Sequence, residues 1–343
     1  MPVMITIKEI AERAGVSATT VSNVLHGNTS HTSEETTEKV KKIIKDQNYV
    51  PNMGAMILAH SFSKIIGVIL QYTTRGAEKT FMDPFEGELL SALEEEIRKN
   101  GYYTMLYVAT SVSEVIALAA TWKIDGLIII GLQPDECGLL RSSTSQPMVF
   151  IDCYFNNDGN EYYNVGLADR EGSRAMTDYL ISVGHKKIAF LADSSSPRGV
   201  DKERLEGVRT AFEENKLEFT GKNFISISRD GNKRHRILDS LAANRTDYTA
   251  LFFSSDYYAF DALTYFAEKN IHVPEDYSLA GFDDNVFSRT AHPKISTVHQ
   301  DVSEKGIRAV KMLLKLIKKQ PVAEKNITLP VSLITRESTA GIK

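Results

Sequence analysis

Residues 6–28 read TIKEIAERAGVSATTVSNVLHGN and predict two short helices joined by a tight turn. Thr6 and Glu9 have the spacing of a capping box, so the first helix should begin directly after Thr6. Gly15 permits the left-handed backbone of a turn, and Ser17 suits the N-cap of the second helix. A helix pair of this size is too small for an active site but fits the DNA major groove. The alternative is an ordinary hairpin from an all-α bundle.

The segments that follow this helix pair predict a small three-helix domain and then a weak helix. A third helix is expected at 33–47, because glutamates lie at its start and lysines at its end, where they match the helix dipole. After a break at 49–52, residues 53–59 predict about two turns of helix, which alone should be only marginally formed.

Composition limits the class of protein. The chain has 343 residues, which is too many for one compact core, so two or more domains are expected. Its apolar content of 42% and charged content of 24% are typical of a soluble globular protein, and the net charge of −4 gives no global basic field. We expect no membrane span and no signal peptide. Cys137 and Cys153 are interpreted as buried thiols of a cytoplasmic protein.

Beyond Ser63, short apolar runs alternate with amphipathic helices. This alternation predicts two doubly wound parallel sheets with helices on both faces, and a cleft at the carboxyl ends of the strands. In the tail, 296–298 and 326–335 are predicted strands and 303–318 a long helix, as in a chain that crosses back between two sheets. The other predicted strands are 65–70, 103–108, 126–130, 148–151, 188–192, 224–227, 250–253 and 278–281. The other predicted helices are 85–100, 114–122, 135–142, 171–183, 204–215, 236–243 and 257–270.

The chain resembles transcriptional regulators of the lactose-repressor (LacI/GalR) family. The matching motifs include GHKKIAF at 184–190 and VPEDYSLAGFDD at 273–284. Any one motif is weak, whereas many motifs in the same order are specific. The remaining matches are 6–28, 49–58, 65–69, 125–128, 149–152, 204–207, 296–300 and 335–339, so the resemblance covers almost the whole chain.

The resemblance implies a headpiece that binds DNA through its helix-turn-helix, a hinge helix, and a core like a type I periplasmic sugar-binding protein. It also implies a homodimer that reads a pseudo-palindromic operator in double-stranded DNA. The expected domains are 1–49 for the headpiece, 50–62 for the hinge helix and linker, and 63–343 for the core. The first lobe of the core is expected at about 63–163 plus 295–325, and the second at about 164–294 plus 326–340.

The family reads the major groove with the second headpiece helix, here through Ala18, Thr19 and Asn23. The family often has Arg at the place of Asn23; Arg suits guanine, whereas Asn suits the N6/N7 edge of adenine, so a different operator base pair is expected. Leu58 matches the hinge leucine that wedges into the central base step, and the alternative is a simple linker residue. Met56 stands where the family usually has Arg. The full set of expected DNA contacts is Thr6, Ser17, Ala18, Thr19, Thr20, Ser22, Asn23, His26, Asn28, Tyr49, Asn52, Ala55 and Leu58.

The resemblance also places seven residues around a small-molecule effector: Phe85, Asp152, Arg204, Ser255, Asp256, Asp283 and Gln300. This set suits a polyol, because carboxylates accept hydrogen bonds from vicinal hydroxyls and a guanidinium donates two at once. An aromatic ring adds an apolar face for the sugar. Three structural alternatives remain open: Asp152 and Asp283 would cap neighbouring helices, and Asp256 would be the N-cap of a helix that begins at Tyr257. Ser255 replaces an Asn that is common in the family.

A basic stretch, KRHR at 233–236, would either contact a phosphorylated sugar or form a solvated helix start. The expected function is therefore repression of carbohydrate-utilisation genes, with release from the operator by a sugar or sugar-phosphate effector. No cofactor, metal or membrane partner is expected. Co-repression, a protein co-regulator and a stand-alone solute-binding protein are the alternatives. An enzyme is disfavoured, because the sequence lacks a phosphate-binding glycine loop and a Gly-x-Ser-x-Gly elbow.

Overall fold

A computed structural model describes residues 5–25, 29–47, 49, 62–71, 82–155, 161–193 and 196–342. The chain divides into two compact units, Met1–Ser63 and Lys64–Lys343. The hinge helix expected at 50–62 lies almost entirely outside the described residues. No helix within the described parts of the chain has the length and apolar character needed to cross a bilayer.

Three helices form the described part of the first unit, and the predicted headpiece architecture is confirmed. They are α1 (Ile7–Ala14), α2 (Ala18–Leu25) and α3 (Glu34–Asp46). The capping box is present, because the Glu9 N–H donates to the Thr6 hydroxyl at 3.3 Å and the Thr6 N–H donates to Glu9 Oε2 at 2.7 Å. Helix α1 ends at Gly15, whose φ of 73° lies in the left-handed region. Ile10, Val21 and Val40, one from each helix, are fully buried and form the core.

The second unit contains two six-stranded sheets in its described residues. Every neighbouring pair in the first sheet is parallel. In spatial order this sheet consists of Asn326–Leu329 (β11), Asn164–Leu167 (β5), Met148–Ile151 (β4), Gly126–Ile130 (β3), Ile65–Gln71 (β1) and Tyr103–Ala109 (β2). The central strands are buried on both faces, which explains their continuous apolar sequence.

The second sheet is parallel except at one edge, where Val331–Ile334 (β12) runs antiparallel to Ser296–Gln300 (β10). In spatial order it consists of Val331–Ile334 (β12), Ser296–Gln300 (β10), Ser278–Asp283 (β9), Ala250–Phe253 (β8), Ile188–Ala192 (β6) and Phe224–Ser226 (β7).

Helices connect the strands and cover the sheets, as predicted. The helix Gly199–Glu214 begins earlier than the predicted start at Arg204, so Arg204 lies inside it. The helices are α4 (Pro84–Lys99), α5 (Val112–Trp122), α6 (Pro134–Ser143), α7 (Asp169–Ser182), α8 (Gly199–Glu214), α9 (Gly231–Ala243), α10 (Asp256–Glu268), α11 (Val286–Thr290) and α12 (Val302–Ile317). Helices α4 and α12 approach closely, since a Cβ on Gly306 would lie 3.1 Å from that of Ala92.

The predicted lobe boundaries are wrong at three strands. Strand β10 pairs with β9 in the second sheet, although 295–325 was expected in the first lobe. Strands β5 and β11 pair with each other in the first sheet, although both were expected in the second lobe. The predicted single strand at 326–335 is divided by Pro330, which has no N–H to donate to a ladder. Its two halves belong to different sheets.

Within the described residues, the corrected first lobe lies in the ranges 64–71, 82–155, 161–167 and 302–329, and the second lobe in 168–193, 196–300 and 331–340. Within the described residues, the chain therefore crosses between the lobes at 167–169, 300–302 and 329–331. Alternation of strand and helix predicted two sheets but not which strands belong to each sheet. The choice of partner strand depends on contacts between residues that are far apart in the sequence.

Candidate ligand cleft and nucleic-acid interface

The second headpiece helix begins with an exposed, capped turn, as predicted. The Ser17 hydroxyl accepts a hydrogen bond from the Thr20 N–H at 3.1 Å. Ala18 and Thr19 are exposed, and Asn23 one turn later is half-buried. Short side chains and a helix N-terminus together form a surface that can approach phosphates and base edges.

The remaining expected DNA contacts divide into described and undescribed residues. Thr6 is exposed but its hydroxyl is engaged in the capping box. Thr20 and Ser22 are half-buried beside the exposed turn. The Tyr49 N–H donates to the Ile44 carbonyl oxygen at 3.0 Å, and burial raises the pKa of its phenol. His26, Asn28, Asn52, Ala55 and Leu58 lie outside the described residues.

Polar side chains of the two lobes meet at the carboxyl ends of the two sheets. Asp152 directly follows β4, whereas Asp283 and Gln300 end β9 and β10. Asp152 has a φ of 53° and Asp283 a φ of 121°, so both carboxylates occupy left-handed backbone that non-glycine residues seldom adopt. Such strain is commonly stored at functional sites. The predicted cleft at the strand ends is thus a cluster of polar groups from both lobes.

Arg204 is the main cation on the second-lobe side of this cluster. Its Nε donates to Asp169 Oδ1 at 2.7 Å, and its guanidinium also donates to the Ser254 carbonyl oxygen. A terminal nitrogen lies 4.0 Å from Asp283 Oδ1, and the guanidinium carbon lies 3.6 Å from the centre of the Phe282 ring. The side chain is 8% exposed. Burial of this guanidinium is compensated by two carboxylates, which lie on the elements that face it.

A second chain of contacts joins Asp283 to Asp152 through Gln300 and Lys305. Gln300 Nε2 donates to Asp283 Oδ1 at 2.6 Å, and Lys305 Nζ donates to Gln300 Oε1 at 2.7 Å and to Asp152 Oδ2 at 2.6 Å. Lys305 Nζ also lies 5.3 Å from the centre of the Phe85 ring. Burial raises the pKa of both carboxyls, while Lys305 beside Asp152 and Arg204 beside Asp283 act in the opposite direction.

Ser255 and Asp256 are neighbours in the chain but differ in their hydrogen bonds. Ser255 is the N-cap of α10 by position, and its hydroxyl is buried without a hydrogen-bond partner among the described residues. Asp256 is the first residue of α10, so the N-cap role considered for it is wrong. Its carboxylate accepts from the Thr297 hydroxyl at 2.6 Å and the Asn285 N–H at 3.0 Å, and burial raises its pKa to about 7. Both carboxylate oxygens of Asp256 therefore accept hydrogen bonds from residues of the second lobe, and the side chain is fully buried.

Several cleft residues were missed by the sequence analysis. Lys305 is one of them, and Asp169 is another; the Tyr154 hydroxyl donates to the second oxygen of Asp169 from the first lobe. One sequence signal could have found Lys305: it lies between Val302 and Ala309 on the apolar face of an amphipathic helix, where a lysine is unusual. A cavity of about 300 Å³ opens beside this contact and is lined by Tyr154, Leu167, Asp169, Arg170, Glu171 and Glu203.

A further charged group lies at the carboxyl ends of β6 and β7. The Arg229 guanidinium donates to Asp193, which also accepts from the Tyr258 hydroxyl at 2.8 Å. Burial raises the pKa of Glu86 in the first lobe to about 7, although Arg229 across the cleft lowers it. Burial and the neighbouring Asp193 raise the pKa of Asp201 to about 6. Carboxylates therefore outnumber cations in this part of the cleft.

The basic stretch at 233–236 contains one buried cation. Arg234 is 2% exposed, and its Nε donates to Asp261 Oδ2 at 2.7 Å. It also donates to the Ser228 and Arg229 carbonyl oxygens at 2.8 and 3.1 Å. These contacts hold the start of α9 in place, so the guanidinium of Arg234 is directed into the lobe and not towards a ligand phosphate.

Known proteins match both units of the chain. Residues 6–52 match the model of bacterial regulatory proteins of the lacI family, and residues 177–339 match a periplasmic binding protein-like domain. The HTH-type transcriptional repressor PurR of Haemophilus influenzae strain PittEE is 31% identical over 348 residues, which cover 99% of this chain and 100% of that protein. The ribose operon repressor of Haemophilus influenzae strain Rd is 28% identical over the same shares of both chains.

Solved structures of related regulators also match nearly the whole length of the chain. The lac repressor dimer bound to operator and the anti-inducer ONPF aligns with a TM-score of 0.84 and 26% identity, over 98% of this chain and 99% of that one. This likeness confirms the predicted fold class, a helix-turn-helix headpiece with two α/β lobes. The helix-turn-helix unit, the paired sheets and the full-length relatives agree: the chain belongs to the lacI family of bacterial regulatory proteins and is a DNA-binding transcriptional regulator.

Proposed function

We propose that this regulator is a homodimeric repressor of carbohydrate-utilisation genes, and that a neutral sugar in the cleft releases it from its operator. The observation that carries the proposal is the polar cluster between the lobes, where Arg204, Asp283, Gln300 and Asp152 come together beside the Phe85 ring. Carboxylates, an amide and an aromatic face are the groups that recognise vicinal hydroxyls. Such a regulator would act in the cytoplasm, where its operator is.

The charges of the cleft favour a neutral sugar over a sugar phosphate. Arg204 is engaged by Asp169, Lys305 by Asp152, and Arg234 by Asp261. A phosphate would bring about two negative charges into a site where these three cations are already paired with carboxylates of the protein, so none of the three is left to compensate the phosphate. Hydroxyl groups carry no such penalty, because each one both donates and accepts.

The mechanism we propose is a shift between two arrangements of the lobes. A ligand that contacts both lobes stabilises one arrangement, and in a dimer this would change the spacing of the two headpieces and the formation of the marginal hinge helices. To invert the occupancy from 1:99 to 99:1, the ligand must prefer one arrangement by roughly 5.5 kcal/mol. Leu58 would wedge between bases only when the hinge helices form.

The first experiment identifies the operator. Full-length protein selects binding sites from a random duplex pool, and we expect a pseudo-palindrome with adenine at the base pair that Asn23 reads. Asn23→Arg should then shift the preference towards guanine, whereas Glu12→Gln, at an exposed position of α1 outside the expected DNA contacts, serves as the control. Selection of guanine by the unaltered protein contradicts the role of Asn23.

The second experiment tests the effector. Thermal shift with neutral sugars and with sugar phosphates identifies binders, and a mobility-shift assay on the selected operator measures their effect. We expect a neutral sugar to stabilise the protein and to weaken DNA binding. Tighter DNA binding with the sugar would show co-repression, and stabilisation by sugar phosphates alone would contradict the charge argument. Chemical conversion of a bound sugar would contradict a purely regulatory cleft.

A further inference from the structure

Lys305 is a fully buried cation inside the proposed ligand cleft. Its side chain is 0% exposed, and its ammonium lies 2.6 Å from Asp152 Oδ2 and 2.7 Å from Gln300 Oε1. The Phe85 ring centre lies 5.3 Å from the same nitrogen. An ammonium is costly to bury unless charge and hydrogen bonds compensate it, so these contacts are what allow a lysine to occupy this place.

The contacts of Lys305 connect the two lobes. Helix α12, which carries Lys305, packs against the first sheet, since a Cβ on Gly126 would lie 2.9 Å from Leu313 Cδ1. Asp152 follows β4 of the same lobe, whereas Gln300 ends β10 of the second lobe. The ion pair with Asp152 therefore lies within one lobe, and the hydrogen bond to Gln300, five positions earlier in the chain, spans the crossing between the lobes at 300–302.

The second-lobe side of this bridge continues into the lobe's own charged groups. Gln300 Nε2 donates to Asp283 Oδ1 at 2.6 Å, and Asp283 Oδ1 lies 4.0 Å from Arg204. Gln300 itself is 3% exposed. Its amide is thus held at both ends, with the nitrogen on a carboxylate of its own lobe and the oxygen on the cation of the other lobe.

Lys305 occupies the positions that a ligand hydroxyl would use. A sugar that donates to Gln300 Oε1 or to Asp152 Oδ2 must approach an oxygen that the ammonium already contacts, and a ring stacked on Phe85 must share that face with it. One lysine side chain therefore makes a contact between the lobes of the kind that a bound sugar would make.

We propose that Lys305 is a built-in occupant of the cleft, which bridges the lobes in the ligand-free protein and is displaced from Gln300 when a sugar binds. This inference rests on the proposed function, in which the cleft is the effector site. It explains how a repressor would hold its DNA-binding arrangement without a ligand. It also defines the ligand as one with vicinal hydroxyls, of which one donates to Gln300 and another accepts from the released ammonium.

The bridge is tested first by hydrogen exchange on the full-length dimer without ligand. Lys305→Met combined with Asp152→Asn removes both charges and nearly keeps the shapes, so no buried carboxylate is left unpaired. We expect the amides at 84–90 in the first lobe and at 284–290 in the second to exchange about tenfold faster, which corresponds to the loss of one charge-assisted hydrogen bond. The central strands β3 and β8 should keep their protection. Lys315→Met, an exposed lysine on the same helix, is the matched control.

A second variant separates bridging from a merely structural role of the lysine. Gln300→Leu leaves the Lys305–Asp152 ion pair intact and removes the contact between the lobes, together with the hydrogen bond from Gln300 to Asp283 inside the second lobe. We expect the same loosening at 84–90, because those residues belong to the first lobe. Exchange at 84–90 that is unchanged in both variants would overturn the proposal. Faster exchange that is confined to the first lobe in the double variant would overturn it as well, because that result assigns Lys305 to packing.

Displacement by a sugar is tested through the lysine itself. In protein labelled with ¹⁵N-lysine, the Lys305 ammonium signal is assigned by its loss in Lys305→Met, and D-ribose, D-glucose and D-galactose are then titrated. A sugar that stabilises the protein should shift this signal, whereas an unchanged signal at saturation would overturn the displacement step. If none of the three sugars and no other sugar of the thermal-shift panel binds, the proposed function fails, while the exchange experiment still decides the bridge.

Discussion

At the scale of single residues, the surroundings of a side chain decide its chemistry. Glu86 and Glu88 lie in the same turn of α4, but Glu88 is exposed, whereas burial raises the pKa of Glu86 to about 7. Burial likewise raises the pKa of Asp256 to about 7, although its carboxylate accepts several hydrogen bonds. Carboxylates in the sequence are therefore not equivalent, and their roles follow from burial and from the cations beside them.

Glu86→Gln should change how stability depends on pH. The ordinary pKa of the group is 4.5 and the folded value is about 7, so unfolding releases its proton between these values and stability falls as pH rises from 4.5 to 7. The variant lacks this loss of stability. At pH 8 its free energy of unfolding should therefore exceed that of the unaltered protein by about 2 kcal/mol, after allowance for the partial exposure of the side chain. Urea unfolding at pH 4.5 and pH 8 measures the difference. Glu88→Gln should not change the pH dependence of stability. An equal response of both variants would refute the raised pKa of Glu86.

Arg204→Met should strongly destabilise the second lobe. The substitution leaves Asp169, which is 1% exposed, and Asp283 without their cation. Breaking a buried pair on one side costs about 3–5 kcal/mol, whereas exposed pairs cost below about 1 kcal/mol. Chemical unfolding should therefore separate Arg204→Met from Arg209→Met on the exposed side of α8. Adding Asp169→Asn should recover part of the loss; failure to do so would count against the ion pair.

At the scale of elements, two helices of the second lobe approach closely enough to fix the cleft. A Cβ on Gly207 of α8 would lie 2.2 Å from the backbone oxygen of Arg170 in α7. Helix α7 begins at Asp169 and α8 carries Arg204, so the close contact of these helices holds the two charges at 2.7 Å. The absence of a side chain at Gly207 is thus what lets the ion pair form.

Gly207→Ala should push α7 and α8 apart. Forcing a methyl group against backbone costs about 1–3 kcal/mol, because the atom it meets cannot turn away as a flexible side chain would. Gly87→Ala in α4 is the matched control, since nothing lies within 4 Å of its Cβ position. That control should be neutral or stabilising by about 0.5–1 kcal/mol. Thermal unfolding compares the two, and equal midpoints would show that the helices can relax.

At the scale of the whole molecule, the end of the described chain completes both sheets. Strand β11 forms an edge of the first sheet and β12 an edge of the second, although only Pro330 separates them. Further on, the Ser338 hydroxyl accepts from the Ser296 N–H at 2.8 Å and donates to the Leu279 carbonyl oxygen at 2.6 Å. The two lobes therefore depend on the same last segment.

A chain that ends at Gln320 should fail to form either lobe. Loss of β11 and β12 exposes an edge in each sheet and removes the bonds of Ser338, so we expect aggregation and no cooperative thermal transition. Removal of 341–343 alone should preserve a cooperative transition, because Ile342 is 49% exposed. Calorimetry and light scattering distinguish the two truncations. A cooperative transition in the shorter chain would show that the lobes tolerate the missing edges.

Prediction from sequence was accurate where the signals are local. The predicted helix at 303–318 agrees with Val302–Ile317, and the capping box at Thr6 is present as expected. Strand β5 was missed, because it has four residues with a glycine inside and an asparagine at its start. Five of the seven expected effector residues lie in the polar cluster, whereas Asp256 is hydrogen-bonded inside the second lobe, since burial depth is not encoded in the neighbouring residues.

The sequence by itself determined the capped helix pair, the alternation of strands and helices, and the family. These features depend on backbone preferences and apolar periodicity within one element, which neighbouring residues set. Only the tertiary structure decided which sheet receives the strands at 164–167, 296–300 and 326–329, and that Lys305 lies in the cleft. The physical reason is the distance along the chain: Lys305 meets Asp152 across 153 positions, and such a contact exists only once the first lobe has folded.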